Sequence, residues 1–299
     1  MSRQVFRSLS DLRGFSLKNC PAMEHPKSVL LCPPDYFDVL DVKNPYMIGQ
    51  AGTIDKVLAR RQWEALRGAF EAAGKPVELI EAVPGLEEMT FCSNQTLVGL
   101  DGEGRRTCLL SQMRHPLRRR EISAYEDWFA RRGYRVERFK DSTRYFEGAG
   151  DAVWHPGKRL LWGGYGFRSE AESYEDVARV FDASVVALKL VNERFFHLDT
   201  CFCPLTPEAA LIYPSAFSSE SLEMILKAFP VVLSAPEAEA AGVLACSAAI
   251  VDCRTALVPK GAPVVSRQIG VVGLSVVEVD TSEFLKSGGS VYGLKTFLY

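Results

Sequence analysis

Two carboxylates and one histidine set the chemistry open to this chain. Glu147 lies in Phe146-Glu147-Gly148-Ala149-Gly150-Asp151, and His197 and Asp199 lie in Phe196-His197-Leu198-Asp199-Thr200. A carboxylate that accepts two parallel hydrogen bonds suits a planar cation rich in N–H donors, of which guanidinium is the example. Attack on the central carbon of such a group needs a nucleophile, and a leaving amine needs a proton, usually from histidine. If residues 196–200 form a strand, His197 and Asp199 point to the same side and face a site together. A surface His and Asp at a strand end is the plainer reading of His-x-Asp taken alone.

The elements that would position these residues recur along the chain. Strand-like stretches cover Thr107 to Met113, Tyr134 to Phe139, Leu160 to Trp162, Ser184 to Val191, Ala210 to Tyr213 and Val231 to Ser234. Helices are predicted over Ile122 to Arg132, Ser169 to Phe181 and Ser218 to Phe229. The spacing of Tyr174, Val177, Val180 and Phe181 carries the second helix, with Ser169 or Ser173 as its cap. Polar or glycine-containing starts stand at Cys92, Glu147, His197, Ser247 and Gly293, separated by 55, 50, 50 and 46 residues. A near-constant period of this size indicates repeated supersecondary units, and five of them in a ring would bring all five starts to one axis. Coincidence among unrelated α/β segments would produce the same spacing.

Composition bounds the rest. The chain has 299 residues, 47% hydrophobic and 24% charged, with net charge −2. Such a balance argues against nucleic-acid binding, and no apolar run is long enough to span a bilayer. The eight cysteines and four histidines lack zinc-site spacing, so neither a metal nor a cofactor is expected. Without a secretory signal, a cytoplasmic location is expected, although a mitochondrial-type presequence is an alternative. Residues 1–24, with Arg3, Arg7, Arg13 and Lys18 against Asp11, read as a loosely packed tail. No linker divides residues 25–299, which favours one domain. Homo-oligomer formation stays open.

The motifs together resemble the guanidino-group-modifying enzymes, or penteins: dimethylargininase, arginine deiminase, arginine dihydrolase and amidinotransferase. The resemblance covers roughly Ser28 to the C-terminus. It implies an α/β fold, a five-bladed propeller of ββαβ-type repeats with pseudo-fivefold symmetry. It further implies that Glu147 grips a guanidinium with Asp199 as second partner, that His197 is the general acid/base, and that Asp151 holds the Gly148-to-Gly150 turn. Asp41-Val42-Lys43-Asn44-Pro45-Tyr46-Met47 resembles an Asn-Pro-x-Met element whose Asn, here Asn44, faces the site. Pro84 to Asn94 resembles a Pro-Gly-Leu-x-Asp-x-x-Phe-x-x-Asn element, with Glu88 in place of Asp and with Asn94 as in dihydrolase-like members. Arg118-Arg119-Arg120-Glu121 fits an Arg-x-x-Glu element whose first Arg pairs with a substrate α-carboxylate; a solvated basic helix start is the alternative. Ser247 stands where Asn is common.

One position departs from the pattern. Gly289-Ser290-Val291-Tyr292-Gly293 resembles the end of a Gly-Gly-x-Val-x-Cys motif, with Gly293 where the nucleophilic cysteine is expected. Glycine closes the covalent route through a thiolate. Cys201, Cys203, Ser290 and Tyr292 are nearby, but packing is the expected role of the two cysteines and neither hydroxyl has a visible activator. Three functions follow as expectations. The first is an arginine-type ligand-recognising member without covalent hydrolysis. The second is an active amidinohydrolase using water or another nucleophile, or an engineered Cys-to-Gly form of an ordinary hydrolase. The third is a structural interaction protein.

Overall fold

The computed structural model describes residues 3–299. Five sheets organise it, and each repeats one strand pattern: a first strand antiparallel to a second, and the second parallel to a third. The first strands are Thr96–Leu100, Ala152–Trp154, Phe202–Pro204, Ala249–Ile250 and Lys295–Leu298. In each sheet a helix connects the second strand to the third, as Ser173–Phe181 does between Leu160–Tyr165 and Ser184–Lys189. Parallel neighbours require such a crossover, because a tight turn can join only antiparallel strands. Lys295–Leu298 pairs antiparallel with Ser28–Leu31, so the C-terminal strand completes the sheet that the N-terminal part begins.

Local sequence explains the helices. Ser173–Phe181 turns Tyr174, Val177, Ala178 and Phe181 inward, and it ends at Asp182 in the left-handed conformation. Its cap differs from expectation: neither serine caps it, because Ser169 is engaged elsewhere. Ser219–Ala228 begins at Ser218, whose side chain accepts from Ser221 N–H. Between sheets, Trp162 stacks on Phe229 with centroids 4.8 Å apart and lies 5.4 Å from Phe202, which joins the sheet of Leu160–Tyr165 to that of Phe202–Pro204.

Two expectations are corrected. The described residues of 1–24 are not loosely packed: Val5–Phe6 pairs parallel with Val185 and Val186, and Phe6 and Leu12 are buried in the core. Residues 196–200 do not form a strand, and the five recurring starts share one place. Each is the turn entering the first strand of a sheet, as Gly148–Asp151 enters Ala152–Trp154 and Leu198–Thr200 precedes Phe202–Pro204. The near-constant spacing therefore marks the same corner in successive sheets.

Leu12→Ala is expected to lower stability by about 2–5 kcal/mol, the usual cost of truncating a fully buried leucine. An unchanged denaturant midpoint would show that the segment adds nothing to the core.

Candidate functional site

Glu147 is fully buried, and each carboxylate oxygen is occupied. Oε1 accepts from the backbone N–H of Arg114 at 3.0 Å, and Oε2 meets Arg168 Nη1 at 2.9 Å and His197 Nε2 at 2.7 Å. Burial opposes its charge, but the Arg168 guanidinium and the bond to His197 outweigh it and hold the carboxyl well below its usual range. Glu147 thus stands behind His197 and orients it. Glu147 is expected to grip a ligand, but it is not among the residues lining the cavity, and three protein donors hold its carboxylate.

His197 is no strand residue. It precedes the 3₁₀ turn Leu198–Thr200 with an extended backbone, and this turn, not strand alternation, brings His197 and Asp199 to the same cavity. Asp151 supports the turn: Oδ1 accepts from Leu198 N–H at 3.1 Å, and Oδ2 accepts from Ser169 Oγ–H at 2.6 Å. Ser169 Oγ in turn accepts from Glu147 N–H at 2.9 Å. Burial raises Asp151 to about 6 against the pull of His197 and Ser169.

Asp199 is the contrast to Glu147. It is buried, its Oδ1 has no hydrogen-bond partner among the described residues, and burial lifts its pKa to about 7 against the opposing pull of Lys295. An unpaired buried carboxylate is costly, and a cation placed against it would relieve that cost.

Arg118, Asn94, Glu88 and Asn44 frame the rest. Arg118 donates from Nη1 to Asn94 Oδ1 at 3.0 Å and from Nη2 to Glu121 Oε2 at 3.1 Å. Glu121 is raised to about 7 by burial, with Arg118 pulling the other way. Glu88 pairs with Lys43 Nζ at 2.9 Å, and Asn44 donates to the Ser287 carbonyl at 3.0 Å. Asn44, Glu88, Asn94, Arg118, His197, Asp199 and Gly293, all named from sequence, line one cavity of about 20 Å³ together with Arg168. That volume admits a water or two, so entry of a larger ligand requires lining side chains to withdraw. Ser247 is outside the lining; its carbonyl accepts from Tyr292 N–H at 3.0 Å and so fixes the turn before Gly293.

Sequence reasoning missed Arg168, which also donates to the Lys43 carbonyl at 2.9 Å and lies over the Phe196 ring at 4.7 Å. Its neighbours in sequence carry no motif, so no local signal marks it. Among the described residues no cluster of three or more His, Cys, Asp and Glu side chains could hold a metal ion.

Gly293 is the open position. A Cβ there would lie 3.4 Å from the Ser290 carbonyl and 3.7 Å from Asp199 Oδ2, and the backbone is outside the left-handed region. By contrast, Gly288 has φ +76° and a Cβ at Gly289 would drive into the Phe91 ring. No cysteine lines the cavity. Cys201 is packed in the core with its pKa pushed up by burial, and Cys203 is raised to about 12 for the same reason. Ser290 Oγ is bonded to Thr281 Oγ1 at 2.6 Å, away from the cavity.

Residues 42–230 match the family model described as N,N dimethylarginine dimethylhydrolase, eukaryotic. The chain belongs to this family. It is 34% identical over 276 residues to the N(G),N(G)-dimethylarginine dimethylaminohydrolase of Mycobacterium tuberculosis, covering 91% of this chain and 86% of that one. It is 37% identical over 264 residues to the bifunctional arginine dihydrolase/ornithine cyclodeaminase AgrE of Nostoc, covering 87% of this chain but only 36% of that protein. The chain therefore spans about a third of that relative's length. Among solved structures, the N-terminal domain of the cyanobacterial arginine dihydrolase ArgZ, a cysteine-to-serine form bound to substrate, superposes with TM-score 0.86 at 34% identity. That match covers 91% of this chain and 97% of the domain. These relatives belong to the pentein superfamily, as this chain does.

Gly293→Ala is expected to leave the thermal midpoint within a degree or two, whereas Gly289→Ala lowers it by several degrees, since an added methyl has room only at 293. Equal losses in a melting assay would contradict this account of the two glycines.

Proposed function

We propose that this chain recognises an arginine-type guanidino ligand in the cavity beside Gly293 and lacks the thiol route to C–N hydrolysis. The guanidinium would pair with Asp199, and a carboxylate at the other end would lie toward Arg118 and Arg168. The observation that carries this reading is the buried, unpartnered Asp199 Oδ1 next to the open Cβ position of Gly293. The retained His197–Glu147 pair favours a second reading, in which His197 moves a proton for attack by water without a covalent intermediate. The five like sheets, with the C-terminal strand completing the first, support the five-bladed arrangement that would gather these corners around one axis.

Calorimetric titration with arginine, dimethylarginine, agmatine and citrulline tests the reading; silence with all four removes the ligand. Since the guanidinium binds the ionised form of Asp199, affinity should rise with pH through about 7. The gain between pH 6 and pH 8 is about tenfold for one such group. A flat profile, or an Asp199→Asn chain that binds as tightly, would contradict it. Gly293→Cys should gain ammonia or methylamine release from a guanidino substrate. Equal release by the unsubstituted chain, lost in His197→Ala, would establish the water reading instead.

A further inference from the structure

A second cavity, of about 180 Å³, shares no lining residue with the site above. The first strand of every sheet contributes to it, with Val98, Trp154, Cys203, Ile250 and Phe297 in its wall. The wall is mostly apolar, and its rim carries Glu24, His25, Asp252 and Cys253, all exposed. Into this wall comes one cation, Lys295, which is 1% exposed. Its Nζ lies 3.0 Å from the centroid of the Tyr292 ring and 4.4 Å from that of Phe297. Among the described residues, neither a carboxylate within ion-pair distance nor a hydrogen-bond acceptor meets it. The titratable groups around the amine are Asp199, Cys203, Cys92 and Tyr292, and burial holds the lysine well below its usual range.

A buried amine with no anion in contact, Asp199 acting on it only from a distance, is an unfinished ion pair, and the missing half is an anion of limited size. An apolar cavity of about 150 Å³ takes up one benzene ring, so this one holds a single ring with a small substituent. The other buried base in the wall, His155, accepts from the Trp162 indole N–H at 3.3 Å and is pressed down to about 4 by burial, so it stays neutral. One cation calls for one negative charge; a second charge on the ligand would be buried unpaired.

We propose that this cavity binds a small aromatic monocarboxylate, its carboxylate on Lys295 and its ring among Trp154, Tyr292 and Phe297. The inference does not rest on the reading of the site beside Gly293. The test uses the whole chain, with benzoate and benzyl alcohol as probes in isothermal titration at neutral pH. Benzoate is expected to saturate one site at least tenfold more tightly than benzyl alcohol. Lys295→Met should abolish that preference while benzyl alcohol still binds. Lack of saturable benzoate binding, equal affinity for the two probes, or displacement of benzoate by arginine would each overturn the proposal. Should Lys295→Met not fold, the comparison of the two probes on the unsubstituted chain decides alone.

Discussion

A buried negative charge on Glu147 is the constraint to which the site conforms. Its three donors come from separate parts of the chain: Arg114 after the strand Arg106–Leu110, Arg168 after Leu160–Tyr165, and His197 ahead of the turn Leu198–Thr200. A carboxylate in this environment stays ionised only while those donors surround it, and removing one partner of such a pair typically costs about 3–5 kcal/mol. The same contact that neutralises the charge also aims the imidazole. Stability and site geometry are therefore set by one set of hydrogen bonds, and Gly293 takes no part in it.

The glycines of the terminal turn show how sterics and chemistry separate. Gly288 needs its left-handed backbone, and Gly289 needs its missing Cβ because the Phe91 ring lies against it. Nothing comparable acts on Gly293, where a side chain would find ordinary contacts. Glycine at that position is a chemical difference from the Gly-Gly-x-Val-x-Cys pattern, with no folding requirement behind it. The site holds an asymmetric pair of carboxylates. Glu147 is held by three donors well below its usual range, and Asp199, beside Gly293, is unpartnered at Oδ1 and raised to about 7. Environment alone divides the roles of two groups with the same chemistry.

Much of the site was legible in sequence, for identifiable reasons. Asn94, His197 and Asp199 sit at corners that enter the first strands of their sheets, where the repeat spacing pointed, whereas Asn44 and Arg118 lie between second and third strands and were legible only through their motifs. The periodicity of Tyr174 and Val177 located a helix whose inner face they form. Where the reading failed, the deciding contact was distant in sequence. His-x-Asp looked like strand alternation because a 3₁₀ turn leaves no separate pattern over three residues. Arg168 joins the site only through Glu147, Lys43 and Phe196, none of them close to it in the chain. The first 24 residues looked basic and loose because the strand they pair with begins at Ser184. Lys295 was passed over because its neighbours Leu294 and Phe297 make the stretch read as ordinary core.

The pairing of Lys295–Leu298 with Ser28–Leu31 has a bearing on biosynthesis. Ser28–Leu31 is made early, yet one of its hydrogen-bonding edges must wait until the distant Lys295–Leu298 has been synthesised. Closing a loop between segments so far apart in sequence is slow, and an open strand edge invites intermolecular pairing in the meantime. The turn Ser290–Gly293 belongs to the same late stretch. A chain that lacks residues 290–298 thus carries both an unprotected edge and an unfinished cavity.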